Sequence, residues 1–358
     1  MGDEISQPAK PRISRRGRGS TTLADVAREA GVSPMTVSRV VNGEPNVVAE
    51  TRQKVQAIIR SLSYVPNPAA RSLAGGHQLR IALLHSNPSA AYLSELLLGS
   101  LAEAGACNVE LTLEPCFGAE KAAVLVARLV NHRIDAVLLP PPLCEDPALL
   151  QALQDAAMPM VQIATGKTAL FAHAVSIDDE AAAHAMTVRL IGQGHRRIGF
   201  IAGDSNQTSS GLRRLGYERA LSEADIALDP SLIAAGDFTY RSGLAAAERL
   251  LTCEHPPTAI FASNDDMAAA SLAVAHKFGL DVPRDLSICG FDDTAMATTI
   301  WPELTTIRQP IAEMAQQAIR MLTEAARARL SGQEDAPRKE LFDFALISRG
   351  SDGAPPRS

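Results

Sequence analysis

The sequence has no run of about 18 apolar residues, so no membrane-spanning helix is expected. Its N-terminus is polar and basic with no apolar stretch behind it, so no signal peptide is expected and the protein is placed in the cytoplasm. The five cysteines (Cys107, Cys116, Cys144, Cys253, Cys289) are odd in number, scattered and without CxxC spacing. That excludes a disulfide framework or a zinc site and fits a reducing compartment. The eight histidines show no pairing at metal-ligand spacing, so no metal is expected. Catalytic motifs are missing as well: there is no GxSxG, no HExxH, and no GxGxxG after a strand. Gly166-Lys167-Thr168 resembles the end of a phosphate loop, but Val161 stands where that motif needs glycine. His195, in GQGHRRIGF, reads as a helix end ahead of a strand rather than a proton carrier. No catalytic residue and no cofactor follow from the sequence, and no enzyme is expected.

What is present is a large apolar fraction, 46% of 358 residues, enough for more than one domain. The net charge of −6 is unevenly spread. Residues 1–80 carry 12 Lys and Arg against 6 Asp and Glu, and the remaining 278 carry 22 against 34. A basic head on an acidic body fits a nucleic-acid module attached to something else. The first 20 residues are polar and rich in Pro and Gly, and are expected to be a disordered basic tail. Arg12, Arg15, Arg16 and Arg18 there either touch phosphates or are simply solvated.

The stretch TTLADVAREAGVSPMTVSRVVN (21–42) predicts two short helices. Leu23, Val26, Ala27 and Ala30 give the first one buried face. Gly31 permits a tight turn, Ser33 caps the second helix, and Pro34 occupies its first position. Val37, Val40 and Val41 face inward, while Met35, Thr36, Ser38, Arg39 and Asn42 face out. This is a helix-turn-helix, whose second helix can enter the DNA major groove; a chance amphipathic hairpin is the alternative. A third helix near 50–62 closes a domain over 21–64 and should start weakly, because Val48 or Ala49 stands where a Ser or Thr cap belongs. Residues 65–78 form a hinge whose middle, Ala69 to Ala74, makes at most two helical turns and is unstable unaided.

From about Leu79 short apolar runs alternate with amphipathic helices, the pattern of parallel sheets covered on both faces. The length calls for two α/β lobes: lobe one at about 79–177 and 309–330, lobe two at about 178–308 and 340–349. ELFDFALI (340–347) reads as one strand, and residues 350–358 as a tail with no heptad pattern. Ligands of such sheets sit beyond the carboxyl ends of the strands. Four of those ends carry short polar side chains: His85-Ser86-Asn87, Asp204-Ser205-Asn206, Ser263-Asn264-Asp265 and Phe291-Asp292-Asp293. Asp and Asn so placed can hold neighbouring hydroxyls of a sugar, Arg213 can add hydrogen bonds, and Phe238 can stack on an apolar sugar face. Taken singly each residue reads more readily as a helix N-cap, as Asn264 or Asp292 could be; converging on one crevice, the four ends favour a site.

TLADVAREAGVSPMTVSRVVN, YVPNPAARSLAG, ASNDDMA, GFDDT and LTTIRQP occur in that order, and over residues 21–349 the chain resembles the lac repressor/galactose repressor family of bacterial transcription regulators. The resemblance implies a cytoplasmic homodimer bound to pseudo-palindromic double-stranded operator DNA, with a two-lobed periplasmic-binding-protein-like core of type I. It places Pro34, Met35 and Arg39 at base-reading positions, and Thr22, Thr36, Ser38 and Asn42 at phosphate-contacting or positioning ones. The hinge (Asn67, Ala70, Leu73) would enter the minor groove, with Leu73 as the wedge. Ser86, Arg213, Phe238, Asn264, Asp292 and Gln309 match effector-contacting places. The lac repressor's effector-binding aspartate after the fourth strand corresponds to Ala164, so that contact is lost. A tetramer-making C-terminal helix is absent, and a dimer is expected.

The function expected is a repressor of carbohydrate-use genes, released from its operator by a mono- or disaccharide. Two alternatives stand beside it. One is a regulator whose ligand is a purine or nucleoside corepressor. The other is a sugar-binding or sugar-modifying protein whose head serves assembly rather than DNA.

Overall fold

The computed structural model describes residues 22–41, 47–62, 64, 78–116 and 121–356. The chain divides into two compact units, 1–78 and 79–358. The expected basic tail, Asn42 and the hinge residues Asn67, Ala70 and Leu73 lie outside the described residues.

In the first unit, α1 (Leu23–Ala30), α2 (Pro34–Val41) and α3 (Ala49–Ser61) pack around Val26, Ala27, Ala30, Val37, Val40, Val55 and Tyr64. Gly31 adopts φ 65° at the turn, and the Thr36 amide donates to the Ser33 hydroxyl at 3.2 Å. The missing cap of α3 is found as expected: Val48 offers no side-chain bond to the helix.

The second unit has two six-stranded sheets. The first holds β1 (Arg80–His85), β2 (Glu110–Pro115), β3 (Ala136–Leu139), β4 (Met160–Ile163), β5 (His173–Ile177) and β11 (Lys339–Phe342), in the order β11-β5-β4-β3-β1-β2. The second holds β6 (Ile198–Ala202), β7 (Ile233–Ala235), β8 (Ala259–Ala262), β9 (Ser287–Asp292), β10 (Thr305–Arg308) and β12 (Ala345–Ile347), in the order β12-β10-β9-β8-β6-β7. Helices α4 (Ala90–Cys107), α5 (Ala122–Asn131), α6 (Pro147–Asp155) and α12 (Ile311–Leu330) belong to lobe one. Lobe two carries α7 (Asp179–Gly192), α8 (Thr208–Glu223), α9 (Tyr240–Leu251), α10 (Asp265–Lys277) and α11 (Ala295–Thr299). Short runs of Ile, Val, Leu, Ala and Phe supply the central strands, such as β3, β4 and β8, buried on both faces, which is why these parallel strands are legible as apolar blocks.

Three expectations are corrected. The strand β5 falls where only a break between lobes is expected; it pairs parallel with β4 across a connection that holds no helix, so the usual alternation gives no sign of it. ELFDFALI is two strands rather than one. Residues 339–342 run parallel to β5 in lobe one, and 345–347 run antiparallel to β10 in lobe two. The assignment of 340–342 to lobe two is therefore wrong: the chain leaves one sheet at Asp343-Phe344 and enters the other. Nor is the segment after Gly350 simply a tail. The Ser351 hydroxyl donates to the Ile288 carbonyl at 2.6 Å and accepts from the Thr305 amide at 2.8 Å. Asp352 accepts from Arg189 Nε and Gln193 Nε2, each at 2.6 Å. His195 closes this seam, with Nε2 2.9 Å from the Gly353 carbonyl and Nδ1 2.8 Å from Thr258 Oγ1. The carbonyl can only accept, so Nε2 carries the proton and donates to it while Nδ1 accepts, and burial lowers the imidazole's pKa.

Candidate functional site

In the head, the hydrophobic spacing of α2 buries Val37 and Val40 and turns Met35 and Arg39, one turn apart, to solvent; Met35 is 64% exposed. Pro34 is also exposed, while Thr36 and Ser38 are half-buried. The Thr36 hydroxyl lies 2.9 Å from that of Ser33, which ties it to the helix start. Thr22 forms a capping box with Asp25: its hydroxyl donates to Asp25 Oδ2 at 2.7 Å and accepts from the Asp25 amide at 3.3 Å. That contact fixes the first helix.

In the core, a crevice lies between the lobes, beyond the carboxyl ends of the strands. Arg213, Phe238, Asn264, Asp292 and Gln309 line it, as does Ala164. Ser86 does not: it is half-buried beside the crevice, and its neighbours Asn87 and Ser89 line it instead. The cause is local. The Ser89 amide donates to Asn87 Oδ1 at 2.8 Å, and this turn into α4 points 87 and 89 inward. Tyr92, Pro141, Gln207 and Ser209 also line the crevice and are not foreseen from the sequence. Strand-end position alone marks Asp204 and Asn206, but these close an Asx turn on themselves at 2.9 Å, which brings the next residues forward.

Arg213 is buried, donating to Asp179 Oδ1 at 2.8 Å and to the Ser263 carbonyl at 2.5 Å. Its guanidinium carbon lies 3.6 Å from the centre of the Phe291 ring. Asp292 Oδ1 is 3.8 Å from Arg213 and accepts from Gln309 Nε2 at 2.5 Å. Asn264 caps α10, accepting from the Met267 amide at 3.0 Å, and donates to the Phe238 carbonyl at 2.9 Å. It holds the helix and the stacking residue together while facing the crevice. Phe238 packs on bare backbone: a Cβ at Gly203 would fall 2.0 Å from its ring. Ala164, Phe238 and Asp292, all in the crevice wall, adopt φ of 54°, 67° and 112°, strained values for residues with side chains.

Three buried carboxyls, Asp179, Asp265 and Asp292, share this interior with one guanidinium, that of Arg213. Burial pushes Asp265 well up and Asp292 up to about 7; Arg213 and Gln309 only partly offset the latter. Asp265 is held by Thr306 Oγ1 at 2.7 Å and the Thr294 amide at 2.8 Å. A carboxyl whose folded pKa exceeds its unfolded value contributes stability below the unfolded pKa and loses it as pH rises through the folded one. The Asp292→Asn variant is therefore expected to melt above the parent protein, by a margin that grows from pH 5 to 8. Buried histidines titrate in both proteins and cancel in the difference. Thermal melts across that range check it, and a margin independent of pH would overturn it.

Among the described residues, the buried atoms Tyr92 Oη and Gln309 Oε1 find no hydrogen-bond partner, and both residues line the crevice. Among the described residues no cluster of His, Cys, Asp and Glu is arranged to hold a metal, and no helix is long and apolar enough to cross a membrane.

The sequence matches the lacI family of bacterial regulatory proteins over residues 22–67 and a periplasmic binding protein-like domain over 187–351. It is 35% identical over 308 residues to catabolite control protein A of Priestia megaterium, covering 85% of this chain and 92% of that protein. It is 34% identical over 333 residues to the HTH-type transcriptional repressor PurR of Escherichia coli O1:K1, covering 92% and 96%. Among solved structures, a complex of the transcriptional regulator CelR with cellobiose superposes with a TM-score of 0.70 at 32% identity, over 92% of this chain and 99% of that one. The lac repressor dimer bound to operator and the anti-inducer ONPF gives 0.72 at 26% identity, over 94% and 100%.

Proposed function

The chain belongs to the lacI family of bacterial regulatory proteins, and from that membership we propose that this DNA-binding, ligand-responsive regulator represses carbohydrate-use genes until a neutral sugar binds its crevice. The observation that carries the sugar reading is the crevice chemistry. Asp292 and the unpartnered Gln309 Oε1 accept hydrogen bonds, the Tyr92 hydroxyl is unmatched, and the Phe238 ring offers a face for stacking. Arg213, the one buried guanidinium among the described residues, is already matched by Asp179, so an anionic ligand such as a sugar phosphate finds no free cation there. CelR, a neighbour in structure, is a complex with cellobiose.

Ser86 drops out of the proposed effector contacts; Arg213, Phe238, Asn264, Asp292 and Gln309 stay, joined by Tyr92, Gln207 and Ser209. On the DNA side, Pro34, Met35 and Arg39 read bases, Thr22, Thr36, Ser38 and Asn42 position the head, and Asn67, Ala70 and Leu73 act from the hinge. Binding changes the angle between the lobes, and residues 65–78 pass that change to two heads on a pseudo-palindromic operator. A homodimer is part of this reading. Exposed Leu98 and Leu101 on α4, and Trp301 before β10, are large apolar side chains for a second copy to cover. The protein acts on DNA and so in the cytoplasm, and it regulates rather than catalyses.

A purine corepressor is the second reading. Tyr92 and Phe238 are both aromatic and both line the crevice, so a flat base also finds ring contacts there. One titration separates the two. Cellobiose is expected to raise the melting temperature of the full-length protein by mass action and to weaken its operator binding. Stabilisation by hypoxanthine or guanine with tightened operator binding, and no response to mono- or disaccharides, would replace the sugar reading.

A further inference from the structure

One contact between the lobes is built differently from the rest of the crevice wall. Glu145 ends the 3-10 turn Leu143–Glu145 in lobe one. Its Oε1 accepts from Thr165 Oγ1 at 2.8 Å and from the Gly166 amide at 3.1 Å, both in lobe one. The same carboxylate accepts from lobe two: Oε2 from the Thr208 amide at 2.9 Å, and Oε1 from the Thr208 hydroxyl. Thr208 opens α8, the helix that carries Ser209 and Arg213 into the crevice. The residue that should cap that helix, Gln207, makes no side-chain bond to it. The cap comes from the other lobe, as a carboxylate at the positive end of a 16-residue helix.

A second link crosses at another helix start. Ser89, the N-cap of α4 in lobe one, donates through its hydroxyl to Asp266 in the first turn of α10 in lobe two. Ser89 and Gln207 both line the crevice, so the two links bracket it.

We propose that Glu145 is a clasp that holds the two lobes together beside the crevice by capping α8 across the gap. Opening strips α8 of its cap and exposes the Thr208 amide; water replaces both bonds, so the clasp biases the equilibrium between open and closed lobes without locking it. Its consequence for ligand affinity rests on the effector reading above. A ligand that needs the closed arrangement binds more weakly in proportion to the closed population lost.

The test uses the full-length protein and two readouts that need neither DNA nor effector: amide exchange over residues 208–210 and the radius of gyration from small-angle X-ray scattering. Glu145→Ala is expected to speed exchange by about tenfold or more, the factor carried by a charge-assisted hydrogen bond, and to enlarge the radius. Glu145→Gln keeps an acceptor but no charge, so it should fall between Ala and the parent. Thr208→Val removes only the hydroxyl and should move the same way by less; it carries the test if Glu145→Ala fails to fold. Unchanged exchange and radius in the folded variants would overturn the clasp. Cellobiose affinity and operator release, measured on the same proteins, report separately on the effector reading. A clasp that opens without altering either would stand, while that reading would fall.

Discussion

Replacing Arg39 with Ala is expected to weaken operator binding by at least about thirtyfold and to flatten its preference for the operator over random DNA. A bidentate contact from Arg to guanine carries about 1–3 kcal/mol of discrimination, and the proposed dimer would make it twice. The structure gives the reason for singling out this side chain. Val37 and Val40 pin α2 to its domain, and Ser33 and Pro34 fix where the helix begins, so Arg39 projects from a rigid element beside exposed Met35. Binding measured at fixed salt against operator and scrambled duplexes checks it. If Arg39 touches only phosphate, the loss will be equal on both duplexes and the salt slope will fall by about one; that result would remove Arg39 from base reading.

Arg213→Met is the second change with a large expected effect. It leaves Asp179 buried with its cation gone, and breaking a buried pair costs about 3–5 kcal/mol. It also removes the plane stacked on Phe291 and the bond to the Ser263 carbonyl. The core should unfold at lower denaturant, and no ligand should rescue operator release. Adding Asp179→Leu removes the stranded carboxylate and should restore most of the stability while leaving the ligand response lost. Urea unfolding of the single and double variants separates scaffold from site. A double variant as unstable as the single one would show that the pair is not what holds this interior.

Much of the architecture is legible in the chain because its cues are local. Gly31, Ser33 and Pro34 announce the turn and second helix of the head, and buried apolar blocks such as MVQI announce strands. Tertiary choices are less so. HAVSI is missed because no helix separates it from the strand it pairs with, and ELFDFALI hides a change of sheet that only the partner strands reveal. In the crevice the residues that sequence position picks out are those whose side chains follow directly from strand ends, Asn264 and Asp292, or from motif matches, Arg213, Phe238 and Gln309. Ser86 was one turn geometry away from Asn87 and Ser89. Tyr92 reads from sequence as an apolar helix position; only burial without a partner marks its hydroxyl.

The chain passes between the lobes three times, at Asp178, at Gln309-Pro310 and at Asp343-Phe344, and each crossing is one or two residues long. Three short pins side by side act like the knuckles of a door hinge. They resist twisting and sliding, and leave one easy rotation. Such a core reports occupancy as a single angle, whatever the shape of the molecule that sets it. Gln309 is both a pin and part of the crevice wall, so a ligand that engages it grips the axle as well as the door. New ligand preferences can then arise by changing the wall residues while the transmission is left as it is.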